Sequence, residues 1–283
     1  MALRRCFLLL TTLLFVSAQA FAGGPWTQMK HKLYVQLGYN IIAENNRLFS
    51  TVTDDHILLL SRAVTDQTIG LYAEYGVTDK FTIVADIPYK MTSSSANVLL
   101  PNDPYQAKQG NLRSFGNISL TGKYQIYKSA INIATDLTIH FPTAIQDFTT
   151  RLSTGYMTYG FEPKINIGYG NNKLYAYSSL SYNYQIDLID QIKASVEIGY
   201  KIYKDLYTII AVDILQSTQE IQPRNDDFLF LYQDQQEYFA STLKLSKGIY
   251  KNMGLNFHMT IITVGANYVQ KGPAMGGSVY FKF

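Results

Sequence analysis

The chain's last ten residues read Ala274-Met275-Gly276-Gly277-Ser278-Val279-Tyr280-Phe281-Lys282-Phe283. Gly277, Val279, Phe281 and Phe283 share one face at a period of two, which is the signature of a β-strand with an apolar side. The end of a soluble domain is usually frayed and polar. A strand that keeps an apolar face up to Phe283 therefore implies hydrocarbon on one side and a polar interior on the other.

The same period recurs along the chain. Leu33, Val35, Leu37 and Tyr39 oppose Lys32, Gln36 and Asn40; Leu71, Ala73 and Tyr75 oppose Tyr72 and Glu74. Phe81, Ile83, Ala85, Ile87 and Tyr89 oppose Thr82, Asp86 and Lys90. The cleanest segment is Ile131 to Phe141, with Ile131, Ile133, Leu137, Ile139 and Phe141 against Asn132, Asp136, Thr138 and His140. Its hairpin partner sets Leu120, Tyr124 and Ile126 against Thr121, Lys123 and Gln125. Further segments start near 161, 174, 192, 206, 239 and 255, which with the last ten residues predict about twelve strands. The segment from Leu206 to Ile214 is apolar on both faces and is the least regular.

Connection lengths separate two all-β architectures. Tight turns near 77–80, 127–130, 170–172, 203–205 and 248–252 alternate with mostly longer connections at 41–66, 91–113, 142–155, 185–190, 215–236 and 263–273. A secreted sandwich would accept the alternation, but its strands run about five or six residues. Strands of about ten, even in number, with short turns at one end and longer loops at the other, predict a transmembrane antiparallel up-and-down β-barrel. Tyr39, Tyr75, Tyr127, Tyr169, Tyr203 and Tyr250 sit near strand ends, where aromatic girdles meet the headgroups.

The beginning of the chain is read as a signal peptide over residues 1–22, leaving 23–283 for the barrel. Arg4 and Arg5 precede the apolar run Phe7 to Val16, and Ala20-Phe21-Ala22 forms a small-x-small site before Gly23-Gly24. The apolar run is too short for a helix across a bilayer of about 30 Å. Loss of this segment removes the only cysteine, Cys6, which excludes disulfides and thiolate metal sites. It also removes two of the 24 basic residues and none of the 21 acids, leaving near-neutrality that argues against nucleic acid as a partner. No stretch beyond the leader approaches the roughly 18 apolar residues of a membrane helix, so a membrane protein of this sequence must be a closed barrel.

The inward face gathers the candidate functional groups. Glu74, Asp86, Lys90 and Lys123 come from the first half of the wall, with Glu74 expected near Asp86 and Lys90 and Lys123 beside Asp136. His140, Glu162, Lys164 and Lys193 follow, then Glu197, Lys201, Lys244 and His258. Both signs alternate between neighbouring strands, so these groups either line a narrow pore or pair with one another. A nucleophile needs its base within hydrogen-bond reach. None of the four histidines has a serine two residues away, and no HExxH, Walker or GxGxxG motif stands in the right context. The reading is a non-enzyme with no cofactor and no metal.

Two apolar runs fall where loops are expected: Ile57, Leu58, Leu59 and Leu60, and the stretch containing Phe228, Phe230 and Tyr232. They either prolong strands above the membrane or form an apolar mouth that catches a hydrophobic molecule.

The closing strand resembles that of bacterial outer-membrane barrels, which implies that assembly machinery reads the terminal Phe283. Pro25-Trp26-Thr27-Gln28, Leu37-Gly38-Tyr39, the hairpin Tyr75 to Thr82 and Tyr280-Phe281-Lys282-Phe283 are together similar to the outer-membrane transporter family labelled "MetA-pathway of phenol degradation". The resemblance implies a monomeric, channel-type protein for small compounds, hydrophobic ones included, and carries over no binding residue. The expected partners are outer-membrane lipid and lipopolysaccharide, the barrel assembly machinery and a small solute. The alternatives are a non-conducting structural or adhesion barrel acting through its loops, and a lipid-active barrel enzyme.

Overall fold

The computed structural model describes residues 23–49, 57–96, 107–219, 236–266 and 272–283. Its strands in chain order are β1 (Leu33–Phe49), β2 (Ile57–Thr78), β3 (Phe81–Ser94), β4 (Gly110–Phe115), β5 (Ser119–Lys128) and β6 (Ile131–His140). A small two-stranded element, β7 (Gln146–Asp147) and β8 (Leu152–Ser153), precedes β9 (Gly160–Gly170), β10 (Leu174–Gln185) and β11 (Gln191–Tyr203). β12 (Leu206–Ser217), β13 (Glu237–Tyr250), β14 (Met253–Ala266) and β15 (Pro273–Lys282) complete the chain.

Each strand of the wall pairs antiparallel with its neighbour, and the ring shuts where β1 meets β15, with Val35 opposite Phe281 and Tyr39 opposite Gly277. Closure leaves no free edge around the ring below the short β4, which pairs with β3 alone, and a closed ring is what hydrocarbon demands of backbone polar groups. Among the described residues twelve wall positions are filled, as the sequence predicts, but one is filled by two pieces. β4 pairs with the upper part of β3 (Tyr89 opposite Phe115) and β5 with its lower part (Phe81 opposite Tyr124). Gly116-Asn117-Ile118 interrupts the strand between them.

The alternation sorts side chains as expected. Leu137 is 52% exposed on the outer wall while Thr138 is 5% exposed inside. Leu37, Ile69, Leu120, Ile165, Ile198 and Ile210 lie outside, and Glu74, Lys123, Asp136 and Glu162 are buried inside. Tyr39, Tyr75, Tyr169 and Tyr250 are exposed at the rims. One end of the barrel has only minimal turns, such as Asp79-Lys80, Ser129-Ala130, Lys204-Asp205 and Lys251-Asn252.

Ile57 to Leu60 do not form a loop. They open β2, with Ile57, Leu58 and Leu59 opposite Phe49, Leu48 and Arg47. A backbone that already pairs has no need of a mouth to bury it, and the run prolongs the hairpin beyond the wall. Phe228, Phe230 and Tyr232 lie outside the described residues, as does the stretch 1–22 that the sequence reads as a signal peptide.

A polar lumen between two inward-folded segments

Two segments that are not part of the wall fill opposite ends of the lumen. At the tight-turn end, residues 23–32 run inward before β1 begins. The N–H of Gln28 donates to Thr82 Oγ1 at 2.8 Å, and Thr27 Oγ1 donates to the Asp79 carbonyl at 2.9 Å. Three groups donate to the buried Glu74 carboxylate: the Gly23 N–H (3.1 Å), Gln28 Nε2 (2.5 Å) and the Tyr72 hydroxyl (2.5 Å). Trp26, the only tryptophan, meets Tyr175 and Tyr177 edge to face at 5.9 and 6.0 Å. Pro25 nests against β9 where Gly168 has no side chain; a Cβ there would lie 2.6 Å from Pro25 Cγ. Gly23, Gly24 and His31 adopt positive φ, which lets so short a segment bend twice.

At the long-loop end, residues 141–159 fold over the mouth and carry β7 and β8. Arg62, 1% exposed on the inner face of β2, donates from Nη1 to the Thr150 carbonyl at 2.7 Å and from Nη2 to the Arg151 carbonyl at 3.3 Å. Val64, Thr92 and Ser94 are buried on the neighbouring inner wall. Asn117, in the interruption between β4 and β5, clasps the segment from both sides. Its Nδ2 donates to the Phe141 and Tyr156 carbonyls (3.0 and 2.5 Å), and its Oδ1 accepts the Tyr156 N–H at 2.7 Å. Thr154 Oγ1 donates to the Phe115 carbonyl at 2.9 Å. Burial raises the Asp147 carboxyl, in the hairpin, but the N–H groups and hydroxyls of Thr149 and Thr150 together hold it below the ordinary carboxylate range.

The expected lumen groups do face inward, but their pairings differ in part from those read off the sequence. Glu74 pairs with Lys123 at 3.8 Å, reached over the intervening β3, whereas Lys90 pairs with Asp66 at 3.0 Å. The register explains the change: Glu74 stands opposite Val84, and Asp86 opposite Tyr72 and Ser119. Asp136 does stand opposite Lys123, and opposite Lys164 on its other side. Glu162 gathers Lys193 at 2.8 Å, His140 at 3.1 Å, Lys164 at 3.7 Å and the Ser181 hydroxyl at 2.7 Å. Lys244 pairs with Glu197 at 3.1 Å, and Glu197 also accepts from the Tyr175 hydroxyl at 2.7 Å. Lys201 pairs with Asp205 at 3.7 Å near the turns, and His258 meets Asn40 at 2.6 Å.

Between the two segments three cavities follow one another down the β9 to β15 side. The uppermost, about 260 Å³, lies under the hairpin among His140, Asn183, Gln185, Gln191 and Lys193. The next, about 330 Å³, shares Lys193 and adds Glu162, Ser195, Asp213 and Thr242. The lowest, about 430 Å³, begins one inward position further at Glu197 and Lys244 and ends among Tyr34, Tyr207, Tyr280 and Lys282. Neither inward segment was anticipated, because strand periodicity carries no information about chain outside strands. The two-sided apolar character of β12 was the available hint: Tyr207 and Ile209 are buried inside with Tyr175, against Trp26.

A closed antiparallel barrel with an apolar, aromatic-rimmed outer wall and a charged lumen is a transmembrane barrel of the bacterial outer membrane. Among solved structures the chain resembles the COG4313 outer membrane channel from Pseudomonas putida F1, with a TM-score of 0.68 at 11% identity over 93% of this chain and 100% of that one. It also resembles the translocator domain of the autotransporter NalP from Neisseria meningitidis, with a TM-score of 0.50 at 8% identity over 100% of this chain and 95% of that one. At such identities the likeness is one of fold. No protein-family model and no curated protein matches the sequence.

Proposed function

We propose that the barrel is a channel for a small solute, carried past two inward-folded segments along the β9 to β15 wall. The observation that supports it is the succession of cavities whose linings advance along β11 from Gln191 through Lys193 and Ser195 to Glu197. Glu162 with Lys193 and Glu197 with Lys244 line this route as ion pairs. Tyr34, Tyr175, Tyr207 and Tyr280 give its lower end aromatic faces that suit a solute with an apolar side. The channel named in the first of the two structural likenesses favours the same reading.

Two roles read from the sequence belong to this proposal. The apolar stretch containing Phe228, Phe230 and Tyr232 would attract a hydrophobic solute to the mouth. Phe283, 61% exposed and stacked on Phe281, would serve the assembly machinery. A second reading, a non-conducting barrel acting through its external loops, is favoured by the way both ends are occupied.

Planar-bilayer recording of the purified protein separates the two. Discrete, small conductance steps are expected of the channel. Silence across voltage and salt would sink it and leave the structural barrel.

A further inference from the structure

Each of the five tight turns carries one lysine. Lys80, Lys128, Lys173, Lys204 and Lys251 stand in, or at the edge of, the turns that join β2 to β3, β5 to β6, β9 to β10, β11 to β12 and β13 to β14. Lys32 precedes β1 at the seam where β15 closes the ring. All six are exposed, and none makes an ion pair among the described residues. The acids of these turns are Asp79 and Asp205: Asp79 accepts the Lys30 N–H at 3.0 Å, and Asp205 pairs with Lys201 at 3.7 Å. The excess of lysine is local to this end. The connection at 215–236 carries Glu220, Asp226, Asp227 and Asp234 against Arg224 alone, and that at 185–190 carries Asp187 and Asp190 with no base.

We infer that the tight-turn end is a collar for anionic phospholipid headgroups, phosphatidylglycerol in kind, of the periplasmic leaflet. In outer-membrane barrels the short turns face the periplasm. The placement of the lysines selects a leaflet. They occupy six stations around the whole ring, and only a partner that surrounds the barrel meets all of them, whereas a globular protein would touch one arc. Their depth agrees. Tyr127, Tyr203 and Tyr250 immediately precede Lys128, Lys204 and Lys251, while Tyr75 and Tyr169 stand near the ends of the strands that lead to Lys80 and Lys173. All five rings are exposed on the rim. Rings so placed settle at the headgroup level, which sets each ammonium beside the lipid phosphates. Lys204 Nζ lies 5.2 Å from the centre of the Tyr203 ring, a cation–π contact that keeps the charge at the depth of the ring. A basic collar responds to the net charge of the headgroup, so a zwitterionic phospholipid is not enriched and an anionic one is. The collar needs the fold and not conduction, and a silent barrel would keep it.

The test is electron paramagnetic resonance of the purified full barrel in phosphatidylcholine vesicles that carry either chain-spin-labelled phosphatidylglycerol or chain-spin-labelled phosphatidylcholine. The immobilised shell of the wild type should prefer the glycerol lipid by at least about fivefold. Raising the salt from about 0.05 M to about 0.5 M should remove most of that preference, because exposed charges are screened. Joint Lys80→Gln, Lys128→Gln, Lys173→Gln, Lys204→Gln and Lys251→Gln replacement should bring the preference below about twofold with the barrel still heat-modifiable. If that variant does not fold, the salt series on the wild type decides. Equal association of the two labels with the wild type, a preference indifferent to salt, or a folded variant that keeps it would each overturn the collar. Cancellation of the preference by glycerol phosphate at constant ionic strength would show a site for free anions instead, and would overturn it too.

Discussion

The main-chain nitrogen of Gly23 lies 3.1 Å from Oε1 of Glu74, whose side chain is fully buried on the inner wall. That contact, with Gln28 on the same carboxylate, fastens the inward N-terminal segment to β2. Glu74→Gln would remove charge-assisted bonds worth about 1.5–3 kcal/mol each and should loosen the segment while the ring stays paired. Larger conductance steps with unchanged heat-modifiability are expected; unchanged steps would show that the segment does not narrow the route. Cleavage after Ala22 would also turn the Gly23 nitrogen into an ammonium facing Glu74. Intact mass of the secreted protein should then begin at Gly23, and any other start would put the amine elsewhere.

Leu137 and Thr138 are adjacent but face opposite solvents. Leu137→Arg should cost about 2–4 kcal/mol, since it places a guanidinium in hydrocarbon. Thr138→Arg gives up a 2.7 Å hydroxyl bond to Thr121 but lies opposite Glu162, and should cost less. Unfolding in detergent measures both, and the reverse order would invert the wall.

Arg62 holds the hairpin through two backbone carbonyls. Arg62→Ala should free it and leave those carbonyls buried without their donor. Faster proteolysis within 147–151 on intact cells, with the barrel still folded, is the expected outcome. Protection equal to wild type would mean that Asn117 and Thr154 suffice.

Glu162 balances Lys193, Lys164 and His140 in the middle of the route. Glu162→Gln releases positive charge there and should shift reversal potentials toward anion selectivity in a salt gradient. A shift toward cations, or none, would place the conducting path elsewhere.

The wall was legible because its physics is periodic. Leu137 and Thr138 are assigned by spacing alone, and so are Glu162 and Lys193. Pairing between charges was less legible, because Glu74 reaches Lys123 over an intervening strand while Lys90 turns to Asp66. Such choices depend on register and side-chain length, which alternation does not encode. The amide cluster of Asn183, Gln185 and Gln191 was invisible, as amides on an inward face read as ordinary lumen lining. Asn183 Oδ1, Gln185 Oε1 and Gln191 Nε2 have no hydrogen-bond partner among the described residues, which only three-dimensional placement reveals. Trp26 is a similar case: nothing in Gly-Pro-Trp-Thr says that the chain bends back inside.

The pairing of Val35 with Phe281 bears on how the molecule is made. Every other rung of the wall joins strands close in sequence and can zip locally; this one joins the two ends of the barrel sequence. No enclosed space exists until the last strand has been synthesised and docked. The N-terminal segment leads directly into β1, and its Trp26 lies against Tyr175 and Tyr177 on β10, on the far side of the ring in sequence. It is a core that the wall surrounds, like a mandrel left in the tube, and its aromatic contacts tie the segment before β1 to the middle of the barrel sequence.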